Sequence, residues 1–279
     1  MSNSNHQSIL LIGAGNMGTS IAKGLLATEW PAELITFCEQ QTSRHDSLKQ
    51  AFPHSAVISA AEDITYTPKV ILLAVKPHDM PVVCQSLAAN RSFNDALYIT
   101  IAAGLPVSCY QSWLGEHTSI VRCMPNTPAA IGLAMTGLYT PESTSIDDKN
   151  LADQILSAIG KTLWVNKEST LDAVTAVSGS GPAYLFYLME CMQKSGQALG
   201  LSADESYTLT LQTMLGAAQL ADHQGLDFET LRANVTSKGG TTEQAINCFM
   251  QNNLQTIVED ALTAAASRAH EISQSFGKE

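Results

Sequence analysis

The sequence predicts an α/β protein, with a doubly wound, mostly parallel sheet in its N-terminal part and an all-helical domain after it. Three observations carry this. Short apolar, β-branched runs alternate with helix-period segments as far as about residue 165, and βαβ alternation of this kind requires a parallel sheet with helices on its faces. From Glu168 onward the pattern changes to helix-period apolar residues and many alanines, with no proline after Pro182. A chain of 279 residues also exceeds the usual size of one core. The expected domains are 1–165 and 166–279.

Taken in order, strands are predicted at Ser8 to Ile12, Leu34 to Cys38, Val70 to Val75, Ala96 to Ile101 and Ser119 to Cys123, each a short apolar run bounded by polar or turn-forming residues. Helices are predicted between them near Met17 to Ala27, Ser43 to Ala51 and Met80 to Ala89. A strand pair at Ala134 to Tyr139 and Thr162 to Val165, flanking a helix over Ile146 to Ile159, extends the same domain to a boundary near Asn166. Beyond it the periodicity predicts helices over Leu171 to Val177, Pro182 to Leu199, Ala203 to Gln224, Phe228 to Val235, Thr242 to Met250 and Leu254 to Ser273. The last carries an apolar stripe with small residues that allow close helix approach, within the chain or in a dimer.

Composition narrows the function. With 45% hydrophobic and 15% charged residues the chain is of the globular class, and a net charge of -11 without a basic patch argues against nucleic acid and anionic membranes as partners. The leader MSNSNHQ has no basic region followed by an apolar stretch, and apolar runs such as Val70 to Val75 fall far below spanning length, so a cytoplasmic location is expected. The six cysteines are widely spaced without a C-x-x-C pair and read as reduced core thiols. No His, Cys or Glu grouping has metal-ligand spacing, so no metal is expected.

Gly13-Ala14-Gly15-Asn16-Met17-Gly18 fits G-x-G-x-x-G. Alone the pattern is weak, but here a strand precedes it, a helix follows, and the next strand ends at Cys38-Glu39, as a dinucleotide-binding βαβ unit of the Rossmann type requires. Gly13 makes the tight turn, Gly15 lets the backbone approach a pyrophosphate, and Gly18 lets helix and strand pack. Asn16 and Met17 open the helix whose N-terminus receives the phosphates. Glu39 stands where a carboxylate accepts from the adenine ribose hydroxyls, which favours NAD, whereas Arg44 could pair a 2'-phosphate. NADH or NADPH therefore stays open.

Later strands end in Ala74-Val75-Lys76-Pro77, Ile101-Ala102-Ala103-Gly104 and Met124-Pro125-Asn126-Thr127-Pro128. Ligands of open α/β sheets bind at the carboxyl ends of strands, so these loops are expected to line one cleft. Val75, Lys76 and Pro77 join the cofactor set with Lys76 as its cation, and Asn126 joins it from the third loop. Small Ala102, Ala103 and Gly104 would let a flat nicotinamide lie against backbone. The prolines can equally serve only to stop strands and start helices.

Two near-misses are set aside. Gly160-Lys161-Thr162 lacks the earlier glycine of a P-loop, having Ile155 there, and reads as a helix end. Ser178 and Ser180 lack a nucleophile elbow, since position 176 is Ala176. In Ser237-Lys238-Gly239-Gly240-Thr241-Thr242-Glu243-Gln244, Thr241 with Gln244 fits a capping box. The same helix start presents backbone N–H groups to an anion.

The segments GAGNMG, LAVKP, IAAG, RCMPNTPA, DAVTAVSGSGPAYLF and VTSKGGTTEQAI follow one another over nearly the whole chain. In them the sequence resembles the pyrroline-5-carboxylate reductases. The resemblance implies a Rossmann domain followed by a helical dimerisation domain, NADPH or NADH as reductant, 1-pyrroline-5-carboxylate as substrate with L-proline as product, and homodimers that often assemble into decamers. It implies that Ser237, Gly240, Thr241 and Thr242 hold the substrate carboxylate, that the Thr242 hydroxyl lies near the ring nitrogen as the catalytic group, that Glu168 approaches the substrate, and that Asn234 joins the cofactor set. Lys238 departs from the family, which commonly has proline there. Two rivals are a β-hydroxyacid dehydrogenase, whose catalytic lysine position is Leu185 here, and a non-catalytic NADP-sensing protein.

Overall fold

The computed structural model describes residues 6–276. Its first part is built on strands β1 (Ile9–Ile12), β2 (Ile35–Cys38), β3 (Ala56–Ile58), β4 (Val70–Leu73), β5 (Leu97–Thr100), β6 (Ile120–Met124), β7 (Ala134–Tyr139) and β8 (Gly160–Trp164). They form one sheet in the order β3-β2-β1-β4-β5-β6-β7-β8, parallel throughout except where β7 runs against β6. The order reverses between β1 and β4, which opens a crevice at the carboxyl ends of those strands.

Alternation along each strand divides its side chains between two cores. Ile9, Leu11, Phe37, Leu72, Ile99 and Val121 pack on one face, against Ile21 and Leu25 of α1 (Asn16–Ala27) and Ile155 and Leu156 of α5 (Ile146–Ser157). Leu10, Ile12, Ile71, Leu73 and Tyr98 pack on the other, against Met80, Cys84 and Leu87 of α3 (Met80–Ala88) and Tyr110 of α4 (Val107–Leu114). Coverage on both faces is why these strands read as unbroken apolar runs. Each fully buried aliphatic side chain contributes about 1.5–3 kcal/mol.

Some elements differ from expectation. β3 is an edge strand of three residues, AVI, whose apolar run is too short to stand out as a strand in the sequence. α4 is an element the sequence reading lacks: its eight residues VSCYQSWL form only about two turns, although Val107, Tyr110 and Leu114 stand at helical spacing. Gly160-Lys161-Thr162 is not a helix end but the start of β8, with Gly160 at φ +149 against the backbone of Ala134.

Packing also divides the chain elsewhere than near Asn166. The first unit runs to Ser180 and takes back the chain from Ala265, and the second is Gly181–Ala264. The cause is α6 (Thr170–Val174) with the π-helical turn Thr175–Gly179, which packs on β7. Leu171 and Ala176 are buried, and a Cβ on Gly137 would meet Val174 Cγ1 at 2.6 Å.

The second unit contains α7 (Gly181–Ala198), α8 (Ala203–Gln224), α9 (Phe228–Asn234), α10 (Thr241–Gln251) and the start of α11 (Leu254–Phe276). Ser202 and Glu205 form a capping box at the head of α8, and Ser206 Oγ donates to the Gln193 carbonyl 2.7 Å away. Among the described residues no apolar side chain of this unit is buried, and Leu185, Phe186, Tyr187, Leu215 and Phe228 are exposed. Cys191 and Cys248 lie on these uncovered helices, so they are exposed and are not the core thiols expected, unlike the buried Cys38, Cys84 and Cys123. Among the described residues no helix is long and apolar enough to cross a membrane.

Candidate active site

Each glycine of the first loop is there for a different reason. Gly13 turns the chain off β1 at φ +88, and a Cβ there would meet Val75 Cγ1 at 2.8 Å. A Cβ on Gly18 would lie 2.7 Å from the Gly13 carbonyl oxygen, so any side chain would push α1 off the strand. Gly15 has ordinary backbone angles (φ -70, ψ -175) and nothing within 4 Å of where its Cβ would be. It is the N-cap of α1 and offers no side chain to the first turn, so the amide groups following it, those of Asn16 and Met17 included, face open space with the partial positive charge of the helix end. A side chain at this position would project into that open space beside the helix start.

Below the loop lies a cavity of about 550 Å³ lined by Gly13, Gly15, Glu39, Arg44, Val75 and Lys76, among others. A smaller one of about 190 Å³, walled by Ile12, Cys38, Ala61, Val82 and Leu87, adjoins it. Its apolar walls suit a flat aromatic base, and the first cavity, with its polar and cationic rim, suits a sugar and phosphates. The Cys38 thiol between them is pushed up to about 11 by burial, with the nearby Glu62 and Glu39 carboxylates adding to it. It is protonated at neutral pH.

Glu39 is buried and already engaged. Its Oε1 accepts from the Gln41 amide at 3.0 Å, and its Oε2 accepts from the Ala14 amide at 3.2 Å and from Arg44 Nη1 at 3.3 Å. Arg44 Nη2 donates to the Ala14 carbonyl as well. A carboxylate has about four acceptor directions, so little remains for ribose hydroxyls while Arg44 holds this position. The acid expected to read the ribose thus braces the glycine loop and an arginine.

At the later strand ends, Lys76 is exposed at the head of the turn Pro77–Asp79 and lines the larger cavity. Ala102 is buried, Ala103 exposed, and Gly104 turns at φ +83. Asn126 is held from both ends of its amide: Nδ2 donates to the Ser178 carbonyl at 2.9 Å and Oδ1 accepts from the Met135 amide at 2.9 Å. It ties the loop after β6 to β7 and to the π turn. Glu168 Oε1 accepts from the Val107 amide, the first of α4, at 2.7 Å and from Arg122 Nη1 at 3.0 Å. In this structure Glu168 therefore caps a helix and neutralises a buried arginine. Arg122 was missed in the sequence, where the signal was a single cation inside the apolar strand IVRCM, which cannot be buried without a partner.

In the second unit, Asn234 ends α9 and is exposed, as are Ser237, Lys238 and Thr241, whereas Gly240 and Thr242 are half-buried. The capping box expected between Thr241 and Gln244 is not formed. Gly240 is the N-cap, without a side chain, and Glu243 reaches back to accept from the Gly239 amide at 2.8 Å. Thr241 and Thr242 are consequently the first two residues of α10, and their amides have neither an intrahelical partner nor a capping side chain.

The family described as pyrroline-5-carboxylate reductase dimerisation matches residues 168–272, and that described as NADP oxidoreductase coenzyme F420-dependent matches residues 8–104. A pyrroline-5-carboxylate reductase of Pseudomonas aeruginosa is 43% identical over 270 residues, covering 97% of this chain and 98% of that protein. The chain belongs to the pyrroline-5-carboxylate reductase family. The solved structure of a pyrroline-5-carboxylate reductase from Coxiella burnetii has a TM-score of 0.92 at 38% identity and covers 96% of this chain and 99% of that one. The pyrroline carboxylate reductase of Plasmodium falciparum, with NADP bound, has a TM-score of 0.81 at 25% identity, covering 98% and 99%. Within the pyrroline-5-carboxylate reductase frame, Gly13, Gly15, Glu39, Val75 and Lys76 come together around one cavity of the first unit. Ser237, Gly240, Thr241 and Thr242 come together at one helix start of the second.

Proposed function

We propose that this chain reduces the C=N bond of 1-pyrroline-5-carboxylate to give L-proline, using NADPH or NADH. One observation carries the reading: α1 and α10 each begin behind a glycine N-cap that brings no side chain to the helix start, Gly15 and Gly240, and the reaction has two anions to hold. The first suits the pyrophosphate of a dinucleotide, with Gly13, Asn16, Met17 and Gly18 shaping the loop and Glu39, Val75, Lys76 and Pro77 around it. The loops carrying Ala102, Ala103, Gly104 and Asn126, together with Asn234, complete the cofactor set. The second helix start suits the substrate carboxylate, held by Ser237, Gly240, Thr241 and Thr242, with Glu168 as a further substrate contact.

Bound reduced nicotinamide supplies a hydride to the imine carbon. The C=N electron pair then moves to the ring nitrogen, which must carry or receive a proton. A cyclic imine is basic enough to arrive partly protonated, so the site needs positioning and a hydrogen-bond partner more than a strong acid. The Thr242 hydroxyl serves as that partner. The uncovered helices of the second unit support assembly as a homodimer, extended to a decamer as the family resemblance suggests, and the expected location is the cytoplasm.

The test follows oxidation of NADPH and of NADH with 1-pyrroline-5-carboxylate and measures proline directly. Thr242→Ala is expected to lower kcat/KM by about 1–3 kcal/mol, the cost of an unpaired buried partner, and Thr242→Ser to retain most activity. Absence of proline formation refutes the function. Equal activity in all three proteins removes Thr242 from the mechanism.

A further inference from the structure

The C-terminal turns of α11 do something that neither the glycine loop nor the α10 start requires. From Ala265 the helix groups with the first unit, and there Ile272 lies on the loop after β5. A Cβ on Gly104 would run into Ile272 Cγ2, with Ile272 Cβ at 3.3 Å and its carbonyl carbon at 3.7 Å. Gly104 also turns at φ +83, so the loop accepts this neighbour only as glycine. Two residues back on α11, His270 Nδ1 sits 3.2 Å from Asp172 Oδ2 on α6, a carboxylate that is itself largely buried.

The loop is held from its other side too. The Ala102 amide donates to Thr100 Oγ1 at 3.3 Å, and that hydroxyl shares a 2.6 Å hydrogen bond with the buried Tyr110 phenol of α4. The start of α4 is fixed in turn by Glu168. The segment 101–104 is therefore clamped between a strand end and a helix end, with only Ala103 exposed.

We propose that the end of α11 is a buttress for this loop, with Ile272 a positioning residue for hydride transfer and the His270–Asp172 pair its anchor. The inference rests on the reading that Ala102, Ala103 and Gly104 lie against the nicotinamide. In a sheet of this order the adenine half of a dinucleotide lies on the β2 side and the nicotinamide half on the β4 and β5 side. Hydride transfer tolerates little displacement, and a shift of about 1 Å costs on the order of a hundredfold in rate. Binding of the dinucleotide, held chiefly at the glycine loop, tolerates far more.

The experiment uses the full chain with Ile272→Ala, Ile272→Val, Asp172→Asn and Ala103→Leu. Measured for each are kcat with 1-pyrroline-5-carboxylate, the Kd of NADPH, the melting temperature, and the isotope effect with NADPH deuterated at the transferred position. Ile272→Ala is expected to lower kcat about tenfold and raise the isotope effect, with the Kd within about threefold of the parent. Ile272→Val should restore most of the rate, and Asp172→Asn should shift kcat in the same direction by less. If Ala103→Leu lowers kcat and Ile272→Ala does not, the buttress is refuted while the loop reading stands. If Ala103→Leu also leaves kcat and isotope effect unchanged, the loop reading falls and the inference with it. Parallel losses of kcat, NADPH affinity and melting temperature in Ile272→Ala, with no change in isotope effect, would show ordinary destabilisation and overturn the positioning role.

Discussion

Replacing Gly15 by aspartate separates binding from folding, because the two are expected to move in opposite directions. The position has φ -70 and open space for a Cβ, so no strain or clash arises. It is also the N-cap of α1, where aspartate is a preferred residue and gains a few tenths of a kcal/mol over glycine. The melting temperature should therefore hold or rise slightly. A bound pyrophosphate would meet the new carboxylate. Two unit charges about 5 Å apart at an effective dielectric of about 20 repel by about 3 kcal/mol, so NADPH affinity should fall by at least about a hundredfold. Gly15→Ala, which adds bulk without charge, should lose less. Calorimetric titration with NADPH and thermal melts on the same samples give both readings. Unchanged NADPH affinity in Gly15→Asp would refute the phosphate cradle, and a collapse in melting temperature would refute the claim that the space is open.

Other perturbations test neighbouring claims. Glu39→Ser releases Arg44 from its carboxylate, so the ratio of kcat/KM for NADPH over NADH should rise by about tenfold or more, near the lower end of the about 1.5–3 kcal/mol of a charged hydrogen bond; an unmoved ratio removes Glu39 from cofactor choice. Glu168→Ala strands Arg122, which is 8% exposed, and should cost about 2–4 kcal/mol in denaturant unfolding, somewhat less than a fully buried pair because the Glu168 side chain is 26% exposed. Glu168→Gln, which can still accept from Val107, should cost less than the alanine variant. The Cys84 thiol is raised from 9.0 to about 12 by burial, so between those values the native chain keeps a proton that the unfolded chain has released. Stability should fall with rising pH across that window, and Cys84→Ala should flatten the slope of stability against pH there.

What the sequence disclosed depended on how local the cause was. The β1 run, the glycine triplet and the α1 period are adjacent in the chain, so a strand, turn and helix could be read from residues 8–27. The open N-cap at Gly15 was legible because it depends on a missing side chain, which the sequence states outright. The bracing of Glu39 was half visible, since Arg44 is five residues away, but the Ala14 amide that shares the carboxylate is 25 residues back and reaches it only through the β1–β2 pairing. Glu168 and Arg122 are 46 residues apart, and Ile272 meets Gly104 across most of the chain. No local pattern encodes such partners. The capping box proposed for Thr241 failed by one register step, because Gly240 takes the N-cap position without a side chain and Glu243 reaches back only to the Gly239 amide.

The uncovered helices of the second unit bear on how this protein behaves in dilute solution. A unit that buries no apolar side chain among its described residues draws little stability from its own interior. If its faces are covered by another copy, the folded state is held by mass action, and the melting midpoint becomes a function of protein concentration. Dilution should then act as a denaturant for Gly181–Ala264 before it disturbs the doubly packed sheet, and NAD(P)H binding at the glycine loop should outlast reductase activity.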